Sequence, residues 1–225
     1  MPPENGSSPK KPRFATTLAA SPSDLEDVFR LRYQVYCLER KFEKIEDHPG
    51  GIEKDKYDES SVHYLTRDLL GRPIATARLV LDSPHGFPID MEYDMTQAFA
   101  DIDRKTTAEF SRFAISKDLR NPNDAATAGA APSESLSGHS DIAIALIACL
   151  MKESWERGIT HWCAAIERAL WLALRHGGMG LRQVGPPKEY HGIRIPCLAS
   201  LTEVFDKRVF PLTPEIKRRS GLSRD

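Results

Sequence analysis

Six charged residues stand where apolar ones would be expected, or in pairs close enough to act together. Arg32 falls on the helical stripe of Leu25, Val28, Phe29 and Tyr36. A guanidinium on an apolar face either meets a carboxylate, because an unpaired buried charge is costly, or snorkels its head to water. Asp55 and Asp58 stand three residues apart in a charged loop. Such a pair is either an acidic site or a solvated, Asp-capped turn. Arg78 interrupts the small and apolar strand Ile74 to Leu81, and Glu109 and Arg112 lie inside Glu109-Phe110-Ser111-Arg112-Phe113. Strict alternation sends Glu109 and Arg112 to opposite faces. They share one only across a β-bulge, a feature enriched beside active sites. The plain alternative for each strand charge is a gatekeeper on an edge strand. Two arginines and one glutamate in otherwise apolar strands weaken that alternative when taken together.

Other chemistries find little support. His161 and Cys163 share a strand face, but no second pair at ligand spacing completes a metal site. The Asp pair lacks the Gly and terminal Glu of a calcium loop. Neither G-x-S-x-G, G-x-x-x-x-G-K-[ST] nor G-x-G-x-x-G occurs, which removes the nucleophile elbow and both standard nucleotide cradles.

The elements that must position these residues are legible from pattern. Ser23-Asp24-Leu25-Glu26 predicts a capping box with Ser23 as N-cap, opening a helix that runs to about Cys37. Lys41 to Ser60 reads as a long connection. Two strands, Ser61 to Thr66 and Ile74 to Leu81, flank a turn at Gly71-Arg72-Pro73, and Glu109 to Ser116 is a third. A short helix is expected near Met95 to Asp103. Asn121 to Ser140 carries one large apolar residue, Leu136, and reads as a flexible loop within about 117–140. Asp141 to Arg157 is a nearly all-apolar helix closed by Gly158. A strand at Thr160 to Glu167, a helix at Arg168 to His176 and a last helix at Leu198 to Arg208 follow. Helix 142–151 and the Trp162/Trp171 region are either core or the lining of an apolar pocket.

The chain has 225 residues, of which 40% are hydrophobic and 28% charged, with a net charge of -1. One domain spanning 17–225, behind a Pro/Ser-rich flexible tail at 1–16, accounts for that length. Near-neutral charge argues against a nucleic-acid partner. No apolar run spans a membrane, and no signal-type segment stands at the N-terminus. Four scattered cysteines (Cys37, Cys149, Cys163, Cys197) suit reduced thiols, so a cytoplasmic location is expected. The alternation of strands and helices predicts an α/β (α+β) domain, a mixed sheet flanked by helices.

Taken in order, Arg32-x-x-Val35-Tyr36, Phe42, Asp55-x-x-Asp58, Arg78-Leu79 and Glu109-x-Ser111-Arg112-Phe113 resemble the signature of the acyl-homoserine-lactone (autoinducer) synthases. These and the related N-acyl amino acid synthases have the GNAT acyltransferase fold. The segments Leu31 to Cys37 and Tyr190-His191-Gly192-Ile193-Arg194-Ile195-Pro196 resemble the acyltransferases associated with PEP-CTERM/exosortase systems.

The resemblance implies that Glu109 and Arg112 are catalytic, and that Arg32, Tyr36, Phe42, Asp55, Asp58, Arg78 and Ser111 bind substrate. Arg32, Asp55, Asp58, Glu109 and Arg112 would form one polar cluster, with Arg78 joining it or meeting the donor's phosphopantetheine. Tyr36 and Phe42 stand where the synthases usually carry Phe and Trp, which leaves the acceptor open. The reaction implied is transfer of a fatty acyl group from a thioester to the amine of an amino-acid-like acceptor. Glu109 would take a proton through a water, and backbone N–H groups at the bulge would hold the oxyanion. No resident cofactor or metal is expected. A Q/R-x-x-G-x-G pyrophosphate turn is missing from Asn121 to Ser140, which favours acyl carrier protein over acyl-coenzyme A as donor. Two alternatives stand beside this: a lactone synthase using S-adenosylmethionine, and a non-catalytic module that binds acyl chains or carrier protein.

Overall fold

The computed structural model describes residues 14–117 and 132–202. One eight-stranded sheet forms the body: β1 (Phe14–Leu18), β2 (Ser61–Asp68), β3 (Pro73–Leu81), β4 (Thr107–Ile115), β5 (His161–Glu167), β6 (Arg182–Gln183), β7 (Lys188–Glu189) and β8 (Ile193–Ser200). The strands run in the order β1-β2-β3-β4-β5-β8-β6, with β7 also on β8. All neighbours are antiparallel except β4 and β5. The sheet is therefore mixed, as expected, and its one parallel pair lies at its centre.

Helix α1 (Pro22–Tyr33) covers one face, where Val28 and Leu31 pack with Leu65 of β2 and Ala114 of β4. Helices α2 (Pro132–Glu156) and α3 (Arg168–His176) cover the other. There Ile142, Leu146 and Leu150 meet Val62, Leu79, Phe110 and Trp162. Trp162 is sealed in, stacked on Phe110 and donating its indole N–H to Ser154 Oγ at 2.8 Å. The apolar stretch of α2 and Trp162 are thus core. No helix among the described residues is long and apolar enough to cross a membrane.

Several boundaries differ from the sequence reading. The N-cap of α1 is Ser21, whose hydroxyl accepts from Asp24 N–H at 3.1 Å while the Asp24 carboxylate accepts from Ser21 N–H. Pro22 decides this, because its fixed φ suits the first helical position and moves the cap back two residues. Beyond Tyr33 the helix widens into a π-helical turn, Gln34–Glu39, closed by Arg40 N–H on Val35 C=O. The helix expected near Met95 to Asp103 is a run of turns.

The loop expected over 117–140 is helical from Pro132 onward, because extending a formed helix adds one hydrogen bond per residue fixed; 118–131 lie outside the described residues. Of the helix expected from Leu198, Leu198 to Ser200 instead close β8, since this apolar run pairs with β5; Leu201 and Thr202 are helical, and 203–208 lie outside the description. Of the tail expected over 1–16, residues 14–16 belong to β1, with Phe14 packed against the core. Gly158 ends α2 with φ +71°, as its position suggested.

The cap assignment is testable by denaturant unfolding. Ser21→Ala should cost about 1 kcal/mol, and Ser23→Ala about 0.5 kcal/mol or less.

Candidate functional site

Strands β3 and β4 lie inside the sheet, so their charges are not edge gatekeepers. Between the β3–β4 pairs Thr76–Ala114 and Arg78–Ser111, two residues of β4, Arg112 and Phe113, face one of β3. Arg112 sits there at φ +47°. This is the bulge that alternation required. Phe113 stays with the α2-side core, and Arg112 joins Ser111 on the face that α1 covers.

On that face three arginines interleave with three carboxylates. Arg32 is fully buried between Glu53, on its Nε, and Asp58, 2.6 Å from Nη1. Arg78, also fully buried, reaches Asp55 and Asp58 at 2.7 Å each and Ser111 Oγ at 3.0 Å. Arg112 gives Nε and Nη2 to Glu53 Oε1 at 3.1 and 3.0 Å, and approaches Asp55 at 3.3 Å. Asp58 also accepts the backbone N–H of Asp55 at 2.7 Å, so the acidic loop is tied to itself as well as to the sheet.

Burial would raise these carboxyls, but the arginines outweigh it. Arg32 and Arg112 hold Glu53 at about 2, and Arg32 and Arg78 hold Asp58 at about 2. Asp55 is lowered likewise, burial being overcome chiefly by Arg78.

An aromatic wall rises beside this lattice. Arg112 lies 5.5 Å over the ring of Tyr36, whose hydroxyl donates to Phe113 C=O at 3.1 Å. Tyr36 stacks on Phe42 at 6.4 Å, and Phe42 on His191 at 5.4 Å with rings 3° from parallel.

Glu109 stands apart. It is 3% exposed, and its Oε2 accepts Ile89 N–H at 2.7 Å. Among the described residues it makes no ion pair, so it is not a member of the lattice as the sequence reading had it. The reason is its position: cross-strand from Val80, it enters a second apolar cluster with Phe87, Ile89 and Cys163. Burial there lifts its carboxyl to about 8, against the pull of the Ile89 N–H and Arg78. A carboxyl so raised holds its proton to higher pH than an ordinary one, which bears on the base role expected of it. Tyr57, in the same cluster, has a buried hydroxyl with no hydrogen-bond partner among the described residues.

Strands β4 and β5 pair only from Thr107–His161 to Glu109–Cys163 and then part. Beyond that point β4 runs on to Ile115 and β5 to Glu167, leaving two facing strand edges. An extended chain carrying amides can pair with such edges as an added strand does. Glu167 at the end of β5 holds Arg40 at 3.1 Å and its cross-strand neighbour Arg194 of β8 at 3.0 Å.

The structure thus gathers Arg32, Asp55, Asp58, Arg78, Ser111 and Arg112 into one lattice, sets Tyr36 and Phe42 beside it, and leaves Glu109 at the base of the fork. Sequence reasoning missed Glu53, which is 1% exposed and bridges Arg32 to Arg112. The signal present was a third acid just before the Asp pair. It also missed Glu43, 3.6 Å from Arg112. No group of residues that could hold a metal ion occurs among the described residues.

Residues 31–128 match the family model described as Acetyltransferase (GNAT) domain. No curated protein matches the sequence. Among solved structures, MesI, a CoA-dependent acyl-homoserine lactone synthase, superposes with TM-score 0.62 at 21% identity, covering 95% of this chain and 97% of its own. The acyl-homoserine-lactone synthase LasI gives 0.60 at 18%, over 84% of this chain and 90% of its own. FeeM, an N-acyl amino acid synthase from uncultured soil microbes, gives 0.57 at 18%, over 86% and 93%. Residues 31–128 thus match a GNAT domain, and the chain shares the fold of these synthases.

Acid should undo the lattice over a defined window. Glu53 and Asp58 are depressed from 4.5 and 3.8 to about 2, so their contribution is complete above those ordinary values and lost as pH falls toward 2. Glu53→Gln should lower unfolding free energy by about 3–5 kcal/mol at pH 7, as when a buried pair loses one partner. The same variant should flatten the fall in stability below pH 4.5, measured by denaturant unfolding across pH.

Proposed function

We propose that the chain is an N-acyltransferase that moves a fatty acyl group from a phosphopantetheine thioester to the amine of an amino-acid-like acceptor. The observation that carries this reading is the fork between β4 and β5, with a bulge, Ser111 and Arg112 on its rim and the ionic lattice behind them. The donor's amide-bearing arm would lie along the open strand edges, bringing the thioester carbonyl to the bulge. N–H groups on the unpaired edge of β4 would then hold the oxyanion, worth about 3–4 kcal/mol per donor in comparable sites.

Arg112 suits the acceptor's carboxylate. Its Nε and Nη2 are taken by Glu53, and Nη1 has no hydrogen bond among the described residues. Asp55 and Glu43, both within 4 Å of Arg112, offer negative charge for the acceptor's ammonium. Tyr36 and Phe42 would wall the acceptor's side chain. Glu109 stands where the donor's sulfur would arrive, and a carboxyl near 8 is well matched to a thiolate whose ordinary value is about 8.5. It is assigned the proton that the leaving thiolate takes up.

Acyl-coenzyme A and acyl carrier protein present the same arm. MesI is described as CoA-dependent, as is BjaI, a lactone synthase solved with S-adenosylmethionine and isopentyl-CoA. Both descriptions support acyl-coenzyme A as donor beside the carrier protein that the missing glycine-rich turn favoured. The BjaI description equally supports S-adenosylmethionine as an acceptor, the second reading. The link to PEP-CTERM/exosortase acyltransferases rests on the Leu31–Cys37 and Tyr190–Pro196 segments alone.

Thiol release from long-chain acyl-coenzyme A and acyl carrier protein, with pooled amino acids or S-adenosylmethionine, followed by product mass, tests the proposal. Release dependent on amino acids, with an N-acyl product, is expected. Release only with S-adenosylmethionine supports the lactone reading, and donor binding without release supports the non-catalytic module. Glu109→Gln should lower turnover by about 100-fold with an unchanged unfolding temperature; wild-type turnover would remove Glu109 from the chemistry.

A further inference from the structure

The segment Tyr190-His191-Gly192 joins β7 to β8 and reaches over the aromatic wall. Its central residue is held more firmly than an ordinary hairpin tip. His191 has φ +52°, a conformation that non-glycine residues seldom adopt and that persists only where the surroundings enforce it. Two contacts enforce it here. Arg194 grips the loop through its backbone, with Nη2 on His191 C=O at 2.6 Å and Nε on Tyr190 C=O at 3.2 Å. The imidazole is clamped between two rings, Phe42 at 5.4 Å and Tyr190 at 4.4 Å, both nearly parallel to it.

The clamp fixes the ring's orientation. Nδ1 lies 3.9 Å from Glu43 Oε1, and Oε1 of the same carboxylate lies 3.6 Å from Arg112 Nη2. His191 is therefore one carboxylate away from the guanidinium assigned to the acceptor, and its side chain keeps 24% exposure. No other side-chain partner of the imidazole is present among the described residues.

We propose that His191, oriented by Glu43, is the base that deprotonates the acceptor's ammonium. This deepens the N-acyltransfer reading and rests on it. At 3.9 Å the Glu43 carboxylate is beyond hydrogen-bond reach of Nδ1, but its charge favours the tautomer with the proton on that side and leaves the Nε2 lone pair as acceptor. The ammonium gives one proton to Nε2. The neutral amine attacks the thioester carbon, forming the C–N bond and placing the carbonyl electron pair on oxygen. Collapse restores the carbonyl and breaks the C–S bond, and the thiolate leaves with that electron pair. A second nitrogen proton goes to the sulfur by way of Glu109, giving amide and thiol, and His191 returns the first proton to solvent.

The charged and titratable groups facing His191 are Glu43, Arg112, Arg194, Glu92 and Tyr190. Burial, then Arg112 and Arg194, lower its imidazole from the ordinary value, against the opposing pull of Glu43 and Glu92, so it is neutral and able to accept a proton at pH 7. Glu109, raised by burial, and His191, lowered by it, fall on opposite sides of neutrality, the separation that divides acid from base in one site.

The test is the pH profile of kcat/KM for N-acyl transfer in the full chain. His191→Asn is the variant of choice, because Asn tolerates the left-handed backbone and should leave the unfolding temperature unchanged. The wild-type profile should fall on an acid limb below about pH 6.5. In His191→Asn the rate at pH 7 should drop about 100-fold, and the limb should give way to a log-linear rise toward high pH as free amine accumulates. Glu43→Gln should shift the acid limb to lower pH, a change that a merely structural role would not produce. A His191→Asn profile within about twofold of wild type, or an unmoved limb in Glu43→Gln, overturns the assignment and leaves the transferase reading in place. Wild-type enzyme that transfers to no amine overturns both.

Discussion

Everything at the site depends on one buried exchange of charge: Arg32 against Glu53 and Asp58, with Arg78 and Arg112 completing the lattice. Arg32 comes from α1, Glu53, Asp55 and Asp58 from a loop, Arg78 from β3 and Arg112 from β4. Buried ion pairs are poor sources of net stability, because desolvation offsets most of their attraction. Their effect here is positional. An arginine with no exposure must find its carboxylates or stay uncompensated, and only one path of the 40–60 segment supplies all three. That segment has little regular structure of its own, and the charges act as the pins that a helix or strand would otherwise provide.

Two parts of the site inherit their positions from those pins. Arg112 occupies the bulge with a left-handed backbone, and its Nε and Nη2 are claimed by Glu53, so its guanidinium is aimed along one direction at the rim of the fork. The chain between the π-helical turn and Glu53 carries Phe42 and Glu43, which meet the β7–β8 loop. Tension between bulge, lattice and loop is resolved by contacts from four distant stretches of sequence. Glu109, by contrast, owes its character to apolar surroundings, and the difference between a carboxyl near 2 and one near 8 is a difference of partners across a few residues of sheet.

How much of this was legible in the sequence follows from the range of the forces involved. The hairpin β2–β3, the strand β5 and helix α3 were readable because turn residues and local periodicity decide them. Ser21 was missed as cap because Ser23 offers the same pattern and Pro22 breaks the tie. The last three residues of β8, Leu198 to Ser200, were misread as the start of a helix, since their pairing with β5 is a tertiary fact. Arg32, Arg78 and Arg112 could be picked out because each violates a local rule for apolar positions, and Asp55 and Asp58 by their pairing and the family resemblance. Glu53 violates none: an acid in a charged loop looks solvated until Arg32 and Arg112 are brought to either side of it. The seclusion of Glu109 from that lattice was equally out of reach, since it depends on which apolar residues of a distant loop, Phe87 and Ile89, close over it.

The claim that the lattice is a single positioning unit is most directly measured by a double-mutant cycle between Glu53 and Arg112, read on unfolding free energy and on kcat/KM. Glu53→Gln, Arg112→Gln and the double variant should show a coupling of about 1–3 kcal/mol in both readouts, because either single change already frees the bulge from the loop. Additivity within about 0.5 kcal/mol would contradict the account, since the two residues would then be acting as independent charges.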